Sequence, residues 1–461
     1  MKIILKVVSS IIAVSLISLA TACGAQNTPA ATEGAVSTTT SSSAATTQST
    51  AAEEEKSEPI TITMAEFVNK DVEAKMWDNF EALVKERYPG YELILDRIPG
   101  TASSEDYIKS RIAGGDFPDV MKVWQPALLI DGGVVQEISK ELEDMILTPD
   151  YFRVNGKLYT MPRTMGALGY WYNKDIFQRA GIEQLPETWA EFMAACEKIK
   201  AIGVEPFSVS VKEGWYLASM WNYLWSPSTY GPEPNWSKLR SEGKVKFNNP
   251  VSKRVLEQLA ETSPFWQKGS MSADYSEITA LFFTGQTALF SGGIYNAAEV
   301  DNGDFTPDFE IGYLTPPQDN ADMRRVNIYQ DDLFVISSGA TGAVFDASVN
   351  LIKLFFDPDF YPEVLTTFGG VPTVKGFEGY GPVYTDQKAI TMLEEISAAL
   401  AKYGTVPHAH AAQGDNMWPA GCREMSEKMV QELASGNNDL DALMDLFDDQ
   451  WDKGLEQAEQ G

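Results

Sequence analysis

The chain has 461 residues, with 65 acidic and 36 basic side chains and a formal net charge of −29 at pH 7. That length allows two or three domains, and a hydrophobic content of 44% is that of a folded protein rather than a disordered one. The charge argues against a nucleic-acid partner, because nothing offsets phosphate repulsion.

The amino terminus reads as an export signal. Lys2 and Lys6 precede an apolar run over 7–19, and small residues then lead to Cys23. The run is shorter than the ~20 residues that cross a bilayer and is broken by serines, so a cleaved signal over 1–22 is predicted rather than a membrane span. Leu19-Ala20-Thr21-Ala22-Cys23 is similar to a lipobox, with Ala20 where leucine is commonest. This similarity implies cleavage before Cys23 and lipid attachment on its sulfur; two or more acyl chains would hold the protein stably at a membrane. Residues 23–58 are mostly Ala, Ser, Thr and Gln and cannot bury a core. They read as a disordered tether with an r.m.s. span of about 30 Å.

The folded part begins with alternation over 60–64, which predicts a strand. A helix follows from about Asp71, with Met76, Trp77, Phe80, Leu83 and Val84 at helical spacing, and Pro89-Gly90 ends it. A strand over 91–98, a helix over 107–113 and a strand over 117–124 complete a β-α-β-α-β run. That pattern predicts a parallel sheet with right-handed crossovers and a ligand beyond the carboxyl ends of its strands, here 66–69 and Trp124-Gln125. Asn155-Gly156 is a turn feeding a short apolar strand. Tyr170, Trp171 and Tyr172 then stand side by side before Asn173-Lys174-Asp175 and a helix. Thr188 and Glu191 form a capping box ahead of a helix that places Trp189, Phe192, Met193, Cys196 and Ile199 on one face. After a strand over 205–211, residues 212–247 read as irregular and rich in tryptophan, with Trp215, Trp221, Trp225 and Trp236. Helices near 250–268 and 276–284 lead to an apolar strand that opens into Gly292-Gly293, with Tyr295 at a helix start. Asp331-Asp332 precedes another apolar strand, a helix covers about 343–356, and 369–373 leads into a final helical region.

Three blocks stand out in order: Pro118-Asp119-Val120 after a Gly-rich helix end, Tyr172-Asn173-Lys174-Asp175, and Gly292-Gly293-Ile294-Tyr295. Together, behind a lipoprotein-type signal, they resemble the extracellular solute-binding proteins of ABC importers, family 1, which are sugar-binding and maltose-binding-protein-like. The resemblance extends over nearly all of 59–461. It implies an α/β fold of the two-lobe periplasmic-binding-protein type II with a three-segment hinge. The chain would cross between lobes within 155–181, near 314–317 and near 369–372. One lobe would be 59–165 plus 317–368, the other 166–316 plus 369–461. The resemblance also implies capture of a carbohydrate, in particular an oligosaccharide, and its delivery to the permease subunits. The protein would be a monomer without cofactor or metal, performing no covalent chemistry.

Pyranose rings have apolar faces and hydroxyl edges, so a protein holding them stacks aromatics on the faces and aims carboxylates and amides at the edges. The aromatic candidates are Trp124 at a strand end, one of Trp171 and Tyr172, Trp215 after Gly214, Tyr295 where the family often has tryptophan, and Trp418 before the C-terminal helix. The acidic candidates are Glu66 and one of Asp331 and Asp332, and Arg163 could clamp a hydroxyl or acid group. The alternatives are a surface enzyme acting on glycans and a binding protein for a non-sugar solute. A glycosidase needs a carboxylate pair, but 65 acidic residues supply such a pair by chance. No nucleophile elbow, P-loop or His-Glu-x-x-His motif occurs. The two histidines, His408 and His410, read as a surface loop rather than part of a metal site. Cys196, on an apolar helix face, reads as a buried free thiol; pairing with Cys422 would need Cα atoms within about 7 Å.

Overall fold

The computed structural model describes residues 58–68, 70–99 and 104–460, so the signal, most of the tether and Cys23 lie outside the described residues. Ten strands form one sheet there: β1 (Ile60–Val68), β2 (Tyr91–Pro99), β3 (Val120–Val123), β4 (Thr160–Asn173), β5 (Glu205–Ser208), β6 (Thr287–Gly293), β7 (Ile311–Leu314), β8 (Val326–Ile336), β9 (Val371–Pro372) and β10 (Thr405–Pro407). The order is β2-β1-β3-β8-β4-β6-β5, with β7 and β9 also on β4 and β10 on β8. The β-α-β-α-β start forms the parallel β2-β1-β3 unit predicted for it. Its first helix, Asp71–Arg87, buries Met76, Trp77, Phe80 and Val84, the face marked by their spacing. The capping box of Thr188 and Glu191 starts the helix Trp189–Ala201.

Two separate cores sit on this sheet. The first packs Ile62, Trp77, Phe80 and Met121 against residues 333–336 and Phe355. The second packs Trp171, Phe192, Trp221, Trp225 and Phe290 against Trp418, Phe447 and Trp451. Three segments pass between them. In β4, Met161 belongs to the first core and Met165 to the second, and the ladder to β8 slips on either side of Thr164. In β8, Val326 lies in the second core and Leu333 in the first. The chain also alternates between cores over 365–384, where Val371 packs with the second, Val374 with the first and Tyr384 with the second again.

The second passage differs from its expected place near 314–317. Leu314 is still in the second core, and Pro316 and Pro317 are buried in the loop beyond β7. The proline pair marks the end of a strand, and the change of lobe happens inside β8, where nothing interrupts the pattern. The tryptophan-rich stretch also differs, because it is not irregular. It folds into helices Gly214–Thr229 and Trp236–Ser241. Trp221 and Trp225, four residues apart, share one buried helix face and their rings stack at 5.4 Å. Pro227 sits in the last turn of that helix.

Candidate functional site

The first lobe presents a cluster at the carboxyl ends of β1 and β3 and at the β4 and β8 crossings. Arg163, wholly buried, donates from Nη1 to Glu66 Oε2 at 2.8 Å and holds Nε 3.5 Å from Asp332 Oδ2. Its guanidinium lies 4.7 Å from the Phe334 ring and 4.8 Å from Phe355. Nη2 has no hydrogen-bond partner among the described residues. Lys122, also buried, places Nζ 3.4 Å from Asp332 Oδ1 and 2.9 Å from the centroid of the Trp124 ring. Trp124 packs on Phe67 at 5.1 Å and stays partly exposed. Four sequence candidates, Glu66, Trp124, Arg163 and Asp332, therefore meet in one cluster. The Asp331 side chain lies outside the described residues.

Burial pushes the Glu66 carboxyl up to about 7, and the nearby Arg163 and Lys122 charges offset only part of that. The folded-state value lies above the ordinary carboxylate range. Glu66 then stabilises the fold fully below about pH 4.3 and loses that contribution as pH rises toward 7. Unfolding titrations of the parent and Glu66→Gln should show the parent losing ground to the variant over that window. A gap that stays constant with pH would remove Glu66 as the titrating group.

The second lobe presents an aromatic cluster built on the Gly292-Gly293 turn. Asn296 Oδ1 accepts from Gly293 N at 2.9 Å and from Trp171 Nε1 at 3.1 Å. Asn296 Nδ2 donates to Glu299 Oε2 at 2.7 Å and to the Tyr275 hydroxyl at 3.3 Å. A Cβ at Gly292 would collide with Asn296 Oδ1 and with the Trp171 ring, so this turn needs glycine. The Tyr275 ring lies 5.2 Å from Trp215. Trp215 Nε1 donates to Glu213 Oε2 at 3.3 Å. Trp215, Tyr275 and Tyr295 all remain partly exposed, which leaves ring surface beside the carboxylates of Glu213 and Glu299.

The two lobes touch beyond the strands that carry the first cluster. Lys70, just after β1, pairs with Glu299 at 2.6 Å. Gln125, just after β3, donates to the His410 carbonyl at 3.2 Å.

Three candidates are placed elsewhere. Trp171 is fully buried and also donates to the Gly293 carbonyl at 3.2 Å, so it holds the turn and offers no face. Tyr172 packs on Phe177 with ring centroids 4.6 Å apart and closes over Gly312. Trp418 is buried with Nε1 donating to the Tyr230 hydroxyl at 3.3 Å, and its ring lies 5.2 Å from both His410 and Phe447. Trp171 and Tyr172 lie on a strand whose every position is buried, and apolar patterning does not separate such a ring from a ligand platform. His408 and His410 are likewise buried rather than in a surface loop. Burial pushes His408 down to about 3 and His410 well below its usual value. Among the described residues no group of His, Cys, Asp and Glu could hold a metal, and Cys196 and Cys422 are free buried thiols.

Lys122, Tyr275 and Glu299 are not among the candidates read from sequence. Lys122 is two residues before Trp124 on the same strand face, and Tyr275 opens a helix behind the capping box of Asp274 and Glu277. Both signals were present in the sequence.

The model of the bacterial extracellular solute-binding protein family matches residues 64–357. The chain belongs to that family. Among curated relatives, this solute-binding protein is 26% identical over 222 residues to a multiple sugar-binding protein of Streptococcus mutans, covering 46% of the chain and 52% of that protein. It is 29% identical over 158 residues to an ABC transporter extracellular-binding protein of Pyrococcus horikoshii, covering 33% of the chain and 36% of that protein. The chain thus spans about half the length, or less, of these relatives. Among solved structures, a chitin oligosaccharide binding protein aligns over 87% of the chain and all of its own length, with 24% identity and a TM-score of 0.73. RafE in complex with raffinose aligns over 86% of the chain and all of its own, with 19% identity and a TM-score of 0.67. These likenesses show the fold, the two-lobe type II arrangement.

Proposed function

We propose that this solute-binding protein captures a carbohydrate, specifically an oligosaccharide, between its lobes and delivers it to the permease of an ABC importer. Lipid on Cys23 and the 23–58 tether would hold it at the outer face of the cell membrane. The observation that carries the reading is the pairing of two unlike clusters on opposite lobes. Trp215, Tyr275 and Tyr295 supply ring surface for pyranose faces, and Glu213, Glu299 and Asp332 supply acceptors for hydroxyl edges. The sugars in the names of its relatives favour the same ligand class. Trp124 would stack on a ring once the Lys122 ammonium turns from it toward Asp332. The protein would bind without chemistry.

A thermal-shift screen against mono- and oligosaccharides tests this, because a ligand that binds only the folded state raises the midpoint. Neutral oligosaccharides should raise it more than single sugars. A response to peptides and to no carbohydrate would reject the reading, and catalytic product formation would replace it with an enzyme. Tyr295→Ala should weaken the responding sugar at least about tenfold, or about 1.4 kcal/mol, and an unchanged affinity would take Tyr295 out of the site. Mass spectrometry of the mature amino terminus tests the anchor: an unmodified Cys23 removes it.

A further inference from the structure

The lobes are joined by two separate sets of contacts. In the first, Lys70, two residues past the end of β1, carries its ammonium to the second lobe, 2.6 Å from Glu299 Oε1 and 3.5 Å from Asp304 Oδ2. In the second, Gln125 donates to the His410 carbonyl at 3.2 Å, and the Asn155 amide donates to Asp415 Oδ1 at 3.0 Å. Phe152 and Leu158 flank Asn155 in the first core, while Ala412 and Trp418 flank Asp415 in the second, so the Asn155 bond also crosses from lobe to lobe. The two sets share no residue.

The Glu299 side chain is 7% exposed, against 36% for Lys70. Its carboxylate is divided between the lobes: Oε1 takes Lys70 from the first, and Oε2 takes Asn296 Nδ2 from its own. Asn296 in turn holds Gly293 N, Trp171 Nε1 and the Tyr275 hydroxyl. Glu299 follows Tyr295 by four residues in the helix Tyr295–Asp301, which sets the two on one side of it. A cation of the first lobe therefore ends on the network that sets the aromatic cluster of the second. Parting the lobes withdraws the ammonium and leaves a buried carboxylate without its cation, which is costly. The exposed Asn155 bond is exchanged for water at small net cost. The larger share of closure therefore falls to Lys70.

We propose that Lys70 is a positioning residue of the binding site: its ion pair with Glu299 holds the lobes closed and fixes the aromatic cluster in the same step. The clasp is a property of the free chain. Its role in retaining ligand rests on the carbohydrate reading above.

Hydrogen exchange of the ligand-free full chain reads the clasp at a distance. The Asn155 amide is bonded across the lobes, so it exchanges when they part. Lys70→Met should speed it about fivefold, and Lys70→Arg, which keeps the charge, should restore it. Glu299→Gln should speed it likewise and add little to Lys70→Met, as expected for two halves of one interaction. Amides beside Trp77 and Trp221, one in each core, should keep the parent's rates in every variant, which shows that both lobes stay folded. An Asn155 rate that neither Lys70→Met nor Glu299→Gln changes overturns the proposal, as does one that Lys70→Arg fails to restore. A second measurement uses the sugar that responds in the thermal-shift screen. It should leave Lys70→Met about fivefold faster and enter at the parent's rate, because it enters open lobes and is held by closed ones. A dissociation rate that Lys70→Met does not change removes Lys70 from the binding site. If no carbohydrate responds, the exchange result still decides the clasp, so the two readings fail separately.

Discussion

Replacing Arg163 with methionine should cost about 3–5 kcal/mol of unfolding free energy, read from urea melts at neutral pH. The guanidinium is fully buried and is the direct charge partner of Glu66 and Asp332. Methionine fills similar volume among Phe334, Phe355 and Phe368, so the loss isolates the charge. Without Arg163 the Glu66 carboxyl loses its main offsetting charge in a low-dielectric site, and its folded-state value rises further. A group raised in the folded state loses its stabilising contribution as pH increases. The deficit of Arg163→Met should therefore be larger at pH 8 than at pH 5. The double variant Glu66→Gln with Arg163→Met should recover part of the loss, because it removes one of the orphaned charges. A deficit below about 1 kcal/mol, or one that does not change with pH, would mean that the cluster relaxes around the missing charge.

Trp171→Ala should lose about 3–5 kcal/mol, the range for emptying an aromatic site in a packed core. Two effects add here. The ring is fully buried and meets Tyr313 at 5.5 Å. Its Nε1 also ties the Gly293 carbonyl to Asn296, which in turn holds Tyr275 and Glu299. Trp171→Phe keeps most of the ring and drops the hydrogen bonds, so about 1–2 kcal/mol is expected. Trp171 acts on the aromatic cluster through the turn, so Trp171→Phe should lower carbohydrate affinity even where the protein is fully folded. Trp418→Phe, in the same core but bonded to Tyr230, should not. Equal effects of the two on affinity would show that Trp171 serves only packing.

The start of the fold was legible because the first unit follows local rules: an alternating strand, helical spacing and a Pro-Gly helix stop. Glu66 and Trp124 could be placed at strand ends from topology alone, since ligands in parallel sheets gather there. What could not be read was which ring among many faces inward. Trp171, Tyr172, Trp221, Trp225 and Trp418 are as aromatic as Trp215 and Tyr295, and only the packing of distant segments separates them. The position of the second passage failed for a similar reason. β8 serves both lobes as one uninterrupted strand, so its change of environment leaves no break in the pattern, while Pro316-Pro317 supplies a break with no change of lobe.

That uninterrupted strand governs when the molecule can fold. The first core needs residues 333–336 and Phe355, and the second needs Trp418 and Trp451. A chain stopped near residue 330 would have finished neither core, although most of its length would be made. Domains usually fold as units, the amino-terminal one first during synthesis. Here each lobe waits for sequence far downstream: the first core closes only with residues up to Phe377, and the second only as the last helix emerges.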